Sequence, residues 1–346
     1  MGRAGLNRKT ALATVTLTLA AEAPDLDVLS RFGGSAFGLN HHRGFTHSFL
    51  GVPLVAVAVV GFVYLLWRMG GRKTRNPNLP PRWGLLFGFA CLAGLSHILL
   101  DFTNNYGVRP FWPFSERWYS WDIVFIVEPV LLVVLTLGLI LPALFSLINE
   151  EIGARSKDAA PTGRLAATLA LLAVFACWGL RDYEHRRAVG ALQSRNYQGA
   201  DAIRVSAYPY WVNPFRWYGV VETPAFFATM DVDSLAPEVD PEAQMQIHYK
   251  PEETPVTVAA QKTYLGRVYL SWAQYPITET EQLENDPVVS PVENGRAAYA
   301  VRFRDLRYDY PGRNARATLG AVVFLTHDLQ VVEERFGIGG TSTKTR

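Results

Sequence analysis

His41-His42-Arg43-Gly44-Phe45-Thr46-His47-Ser48 runs straight into Phe49 to Trp67, about nineteen residues without a charge. A helix needs about 20 apolar residues to cross a hydrocarbon core of about 30 Å, so this run reads as a membrane span. Three histidines in seven residues at the mouth of such a helix exceed what packing requires. Neutral imidazole is a common metal ligand, and it needs partners from elsewhere in the chain. Two partner groups stand out. Pro24-Asp25-Leu26-Asp27 lies upstream, and Ser96-His97-Ile98-Leu99-Leu100-Asp101 closes another apolar run downstream. The pattern organises the chain around one membrane face where these three stretches meet.

The chain has 346 residues, enough for two domains. Hydrophobic residues make up 49% and charged residues only 18%, but unevenly. Most of the long apolar runs fall between residues 50 and 180, and residues 181 to 346 read as an ordinary soluble protein. This divides the chain into a membrane domain, 1–182, and a soluble β-rich domain, 183–346. A net charge of +2 without an aromatic-interleaved basic stripe gives no expectation of nucleic-acid binding. Cys91 and Cys177 sit inside apolar runs and form no disulfide framework. The run 11–23 lacks a leucine-rich core and ends in acids, so it does not read as a cleavable signal peptide.

Five crossings are expected. Ala11 to Ala23 is short for a span and stops at Pro24. Phe49 to Trp67, Trp83 to Leu100, Ile123 to Ile148 and Leu165 to Leu180 follow. The loop carrying Arg68, Arg72, Lys73, Arg75 and Arg82 has no acid and belongs on the cytoplasmic side. Alternation then puts Glu150 to Arg164 inside, and Asp25 to His47, Asp101 to Asp122 and the C-terminal domain outside. All three ligand groups therefore land on the same outer face, although the topology rests on Lys and Arg alone. Trp112, Trp118, Tyr119 and Trp121 give the Phe102 to Trp121 loop the composition of a membrane interface. Further on, Val256 to Ala260, Arg267 to Trp272, Ala297 to Phe303 and Leu319 to Leu325 read as strands. Tyr310 to Asn314 reads as a turn, and Ala188 to Ala200 as a linking helix.

His97 and Asp101, four apart on a helix, share a face. They either bind metal or simply tether two helices by a hydrogen bond. His42 and His47 flank Gly44, so loop geometry must converge them, and a solvated histidine pair is the plain alternative. His41 reads as a supporting or solvent-facing residue. Arg43 either holds a substrate anion bidentately or pairs with a headgroup or an aspartate. Of Asp25 and Asp27, one can ligate while the other acts as base. Acids just after a helix C-terminus gain nothing from its dipole. Asp122 reads as an N-cap, Glu128 as a site candidate in need of a partner, and His185, His248 and His327 as scattered. Converged, these His and Asp groups suit zinc or another borderline divalent ion, with manganese as the alternative.

Pro24-Asp25-Leu26-Asp27, His42-Arg43-Gly44-Phe45-Thr46-His47-Ser48 and Ser96-His97-Ile98-Leu99-Leu100-Asp101-Phe102, in this order, resemble the YdjM-like family of inner-membrane proteins regarded as metal-dependent hydrolases. The resemblance covers residues 1 to 150. It implies the bacterial inner membrane and, through a distant likeness to zinc-dependent phospholipase C and S1-type nucleases, phosphoester hydrolysis near a lipid surface. Members of that family carry a further N-terminal helix with an Asp-x-x-Thr-His motif, and no stretch here matches it. Either the start lies upstream or this member lacks that helix and its ligand.

The expectation is a polytopic α-helical membrane domain of about five segments followed by a β-rich extracytoplasmic domain. His42, His47, His97, Asp101 and Asp25 bind metal in this reading. Asp25 or Asp27 serves as base, Arg43 steadies substrate, and activated water attacks an ester or phosphoester of a lipid or envelope component. The rival is a non-catalytic membrane protein with a structural His/Asp cluster and a partner-binding β domain. A transporter is disfavoured, since no inverted repeat or broken helix is visible.

Overall fold

The structure, a computed structural model, describes residues 1–74, 76–151, 162–236, 245–283, 297–311 and 319–337. Arg75, most of the Glu150 to Arg164 loop and the Gly312 to Asn314 part of the expected turn lie outside these residues. Two compact units emerge. The first holds Met1–Leu26, Arg43–Arg186 and Pro209–Phe215, and the second Asp27–His42, Arg187–Tyr208 and Arg216–Arg346.

The first unit is helical. α1 (Ala13–Glu22) is only 10 residues long and ends just before Pro24, which has no N–H to continue the ladder. α3 (Gly51–Met69) and α4 (Trp83–Thr103) follow the two long apolar runs. α5 (Pro129–Glu151) and α6 (Thr162–Gln193) follow, and α2 (Ser35–His41) belongs to the second unit. Among the described residues, three helices are long and apolar enough to cross a membrane: α3, α4 and the Gly163–Gln193 part of α6. The Pro129–Pro142 part of α5 is a shorter apolar helix. α1, α3 and α4 pack through small side chains. Ala13, Leu17 and Ala20 meet Ala56, Val59 and Val63 of α3, and Leu86, Phe89, Ala90 and Ala93 of α4. Lipid offers no hydrophobic drive between helices, so close backbone approach through alanine is what such packing requires. Gly138 of α5 does the same against α6, where an added Cβ would come within 2.6 Å of Ala170. Cys91 and Cys177 are free thiols.

The fourth apolar run turns helical later than its composition implies. Residues 123–128 are irregular, α5 starts at Pro129, and Asp122 sits well before it with φ 60°, so it is no N-cap. Proline favours the first helical position while pushing its predecessor out of the helical region. Glu128 finds the partner that its burial demands in Arg181 of α6, at 2.9 Å. Both side chains are almost fully buried.

The second unit is built on two four-stranded sheets. β1 (Arg204–Pro209), β2 (Arg216–Glu222), β3 (Phe226–Asp233) and β4 (Gln246–Tyr249) form one. β5 (Pro276–Gln282), β6 (Tyr299–Asp305), β7 (Ala321–Leu325) and β8 (Val331–Phe336) form the other, in sequence order and antiparallel throughout. The expected linking helix is the end of α6, whose Ala188, Ala191 and Leu192 pack on Trp217, Val221, Ala228 and Met230. Leu192 lies directly over Gly219, where a Cβ would sit 2.9 Å from its methyls.

Two expected strands are helices. Val256 to Ala260 lies in α7 (Pro255–Gln261) and Arg267 to Trp272 in α8 (Tyr264–Trp272). Their β-branched and aromatic content misleads, and capping decides. Thr254 and Thr257 cap each other's backbone with Pro255 at the first helical position, and Thr263 accepts from Gly266 N. Leu265, Val268, Tyr269 and Trp272 are buried, the three-four spacing of a helix face. The insert Asp27–His42 also belongs here. Its helix α2 (Ser35–His41) packs on α8 and β8.

Removing one member of the Glu128–Arg181 pair strands a buried charge. Glu128→Leu alone should cost about 3–5 kcal/mol, whereas Glu128→Leu with Arg181→Leu should recover most of that. Thermal unfolding in detergent reads both. Equal loss in the single and double variants would contradict a pair whose charges matter only to each other.

Candidate metal centre

Within the first unit, Asp25, His47, His97 and Asp101 bring one donor atom each into a group whose members all lie within 4.8 Å of one another. Asp25 comes from the 3-10 run Ala23–Gly33 that follows α1. His47 closes the short 3-10 turn Phe45–His47 that leads into α3. His97 and Asp101 are one turn apart on α4.

The His47 turn is locally over-determined. Ser48 Oγ donates to Phe45 O at 2.8 Å and accepts from Gly51 N at 2.9 Å. Gly51 must be glycine, because a Cβ there would lie 1.8 Å from Phe45 O. Thr46 Oγ1 lies 3.1 Å from His47 Nδ1, which leaves Nε2 to face the cluster. His47 itself is fully buried.

His47 Nε2 is 3.2 Å from His97 Nε2, 3.5 Å from Asp25 Oδ1 and 3.2 Å from Asp101 Oδ2. His97 Nε2 is 3.4 Å from Asp25 Oδ1 and 3.3 Å from Asp101 Oδ2. A tetrahedral ion with bonds of about 2.0–2.1 Å needs ligand–ligand edges of about 3.3–3.4 Å. These five edges match that requirement. Hydrogen bonding fits less well, since Asp101 Oδ2 is buried and satisfies no hydrogen-bond geometry despite its two imidazole neighbours. The residues present thus fit a divalent ion. Hydrogen bonding to His47, then to His97, holds the carboxyl of Asp25 far below the ordinary carboxylate range. Asp25 is also the open side of the group, with its side chain 54% exposed.

The other sequence-derived residues have different surroundings. His42 stands outside this group. Its Nδ1 is 2.8 Å from Asp27 Oδ1, and both belong to the second unit. Arg43 has φ 53°, so the chain turns sharply between His42 and His47. Arg43 is buried and donates to Asp101 Oδ1 at 2.8 Å, Asn104 Oδ1 at 3.2 Å and Gly107 O at 3.0 Å. His41 Nδ1 lies 2.9 Å from Phe37 O, with the two rings stacked. Asn104, Tyr106 and Gly107 were not singled out by sequence. The Asn-Asn-Tyr-Gly turn chemistry after α4 marks them as a loop, but nothing local points that loop at Arg43.

The first unit is therefore a bundle of membrane-type helices carrying a two-histidine, two-aspartate centre. A family model described as YdjM inner membrane protein matches residues 1–187, and the chain belongs to that family. Over 118 residues it is 28% identical to the Bacillus subtilis (strain 168) protein described as "Uncharacterized protein YfhP". That match covers 34% of this chain and 33% of the relative. No solved structure matches.

Gly51→Ala should push the Phe45–His47 turn off its seat while leaving α3 apolar and helical. Metal retained after gel filtration should fall well below wild type, with an unchanged far-ultraviolet helix signal. Wild-type metal retention in this variant would show that the close approach at Gly51 does not place His47.

Proposed function

We propose that the protein is a membrane-bound, metal-dependent hydrolase that cleaves an ester or phosphoester of a lipid or envelope component. The observation that carries this reading is the set of five donor–donor edges between 3.2 and 3.5 Å, with one exposed member. Two imidazoles and two carboxylates favour zinc, with manganese second. Such an ion supplies Lewis acidity and water that ionises near neutral pH.

His47, His97 and Asp101 are the fixed holders. The first is fully buried and the other two are partly buried. Asp25 is the displaceable member. A catalytic centre keeps three protein ligands and an open position, and of the four only Asp25 has the exposure to leave. Asp27, paired with His42, supports the backbone two residues on from Asp25. Phe45, Phe49, Phe111 and Phe114 are exposed around the start of α3, with Phe49 and Phe111 edge to face. Exposed aromatics at a span end suit the headgroup boundary, which favours a lipid-borne substrate. Arg68, Arg72, Lys73 and Arg82 lie at the opposite ends of α3 and α4, which supports a periplasmic side for the centre.

The second reading, a structural centre beside a partner-binding β unit, draws on the same tetrahedral fit, since four protein ligands leave no free vertex. Elemental analysis of detergent-purified protein, with His47→Ala and His97→Ala alongside, comes first. Near-stoichiometric zinc or manganese lost in both variants is expected. Asp25→Asn then separates the readings in an assay with bis-p-nitrophenyl phosphate and short-chain esters. A hydrolase keeps most of its metal in this variant and loses turnover by about 10²–10⁴-fold. Metal lost from Asp25→Asn, with no turnover in wild type, would favour the structural centre. Wild type without metal after reconstitution would sink both.

A further inference from the structure

We infer that Arg43 is a positioning residue that aims Asp101 into the metal centre, rather than a group that meets substrate. This rests on the metal-binding reading above. The guanidinium is used on both of its Nη atoms by the protein itself. Nη2 takes Asp101 Oδ1 at 2.8 Å, while Nη1 takes Asn104 Oδ1 at 3.2 Å and Gly107 O at 3.0 Å. The plane also lies over the Tyr106 ring, 4.8 Å from its centroid. Even the backbone is held, since Arg109 N donates to Arg43 O at 3.3 Å. Asn104 Oδ1 is fixed in turn by Tyr106 N at 2.9 Å. A side chain buried and gripped in this way is already committed.

The consequence falls on Asp101. A carboxylate on its own turns freely about its last torsion, because such torsions are broad and two-fold. With Oδ1 gripped, Oδ2 alone is presented to His47 and His97, at 3.2 and 3.3 Å. Arg43 thereby sets Asp101 as a one-oxygen ligand and removes one of the group's two negative charges. A divalent ion would then leave the centre with a net positive charge, the sign that an anionic ester needs. Lysine cannot replace this, because a single ammonium lacks the planar fork that meets Asp101 and the 104–107 loop together. The backbone at Arg43 supports the same view. Its φ of 53° is uncommon for a residue with a side chain, and persists only where the surroundings over-determine it.

The test uses full-length protein in detergent loaded with Co²⁺. Affinity is read by chelator competition and the ligand field by visible absorption. Arg43→Met should weaken Co²⁺ binding by about 10–100-fold and shift the visible bands, as loss of a ligand's supporting partner does elsewhere. Asp101→Asn should do at least as much. The double variant should be no weaker than Asp101→Asn, because both changes remove one interaction. If Arg43→Met fails to fold, Arg43→Lys serves instead, with intermediate affinity and altered bands expected. Wild-type affinity and spectrum in Arg43→Met or Arg43→Lys would overturn the inference, as would losses that multiply in the double variant. Wild type that binds no Co²⁺ would instead overturn the metal reading beneath it.

Discussion

Two imidazole Nε2 atoms 3.2 Å apart, with carboxylate oxygens at similar distances from both, form an arrangement that could hold a shared cation. Much of the first unit can be understood as what it takes to hold these donors there. They come from three separate stretches, so helices α1, α3 and α4 must pack closely at one end. Alanine supplies that closeness where lipid removes the usual hydrophobic drive. The turn that carries His47 is then fixed by Ser48 and by a glycine pressed against a carbonyl.

The β-rich unit reaches toward this arrangement in sequence. Asp27–His42 belongs to the second unit, yet it is inserted in sequence between the candidate ligands Asp25 and His47. Its two ends are tied by the His42–Asp27 contact at 2.8 Å, and its helix packs on α8 and β8. Gly38 lies tightly against Arg31, where a Cβ would approach Cγ to 2.7 Å. The insert is thus built into the second unit, with its first and last residues adjoining metal-centre stretches along the chain.

All four donors that meet were legible in the sequence, because His and Asp at span ends have few inexpensive roles. His42 was equally conspicuous, but its ring meets Asp27, and no spacing rule reveals that pairing. Long apolar runs placed α3 and α4 within a few residues, while α6 starts near the expected Leu165 but runs on past Leu180 to Gln193. The start of α5 slipped because proline punctuates more strongly than hydropathy does. α7 and α8 were misread as strands for the opposite reason. Their composition is that of strands, while Thr254, Pro255 and Thr263 write helix starts. Long-range partners such as Arg181 for Glu128, or the 104–107 loop for Arg43, depend on packing and leave no local mark.

X-ray absorption at the metal edge of the purified full-length protein measures the centre most directly. Two imidazoles with carboxylate or water oxygens, at about 2.0–2.1 Å for zinc, are the expected first shell. A shell containing sulfur, or oxygen alone without imidazole scattering, would place any metal elsewhere and contradict a centre formed by His47, His97, Asp25 and Asp101.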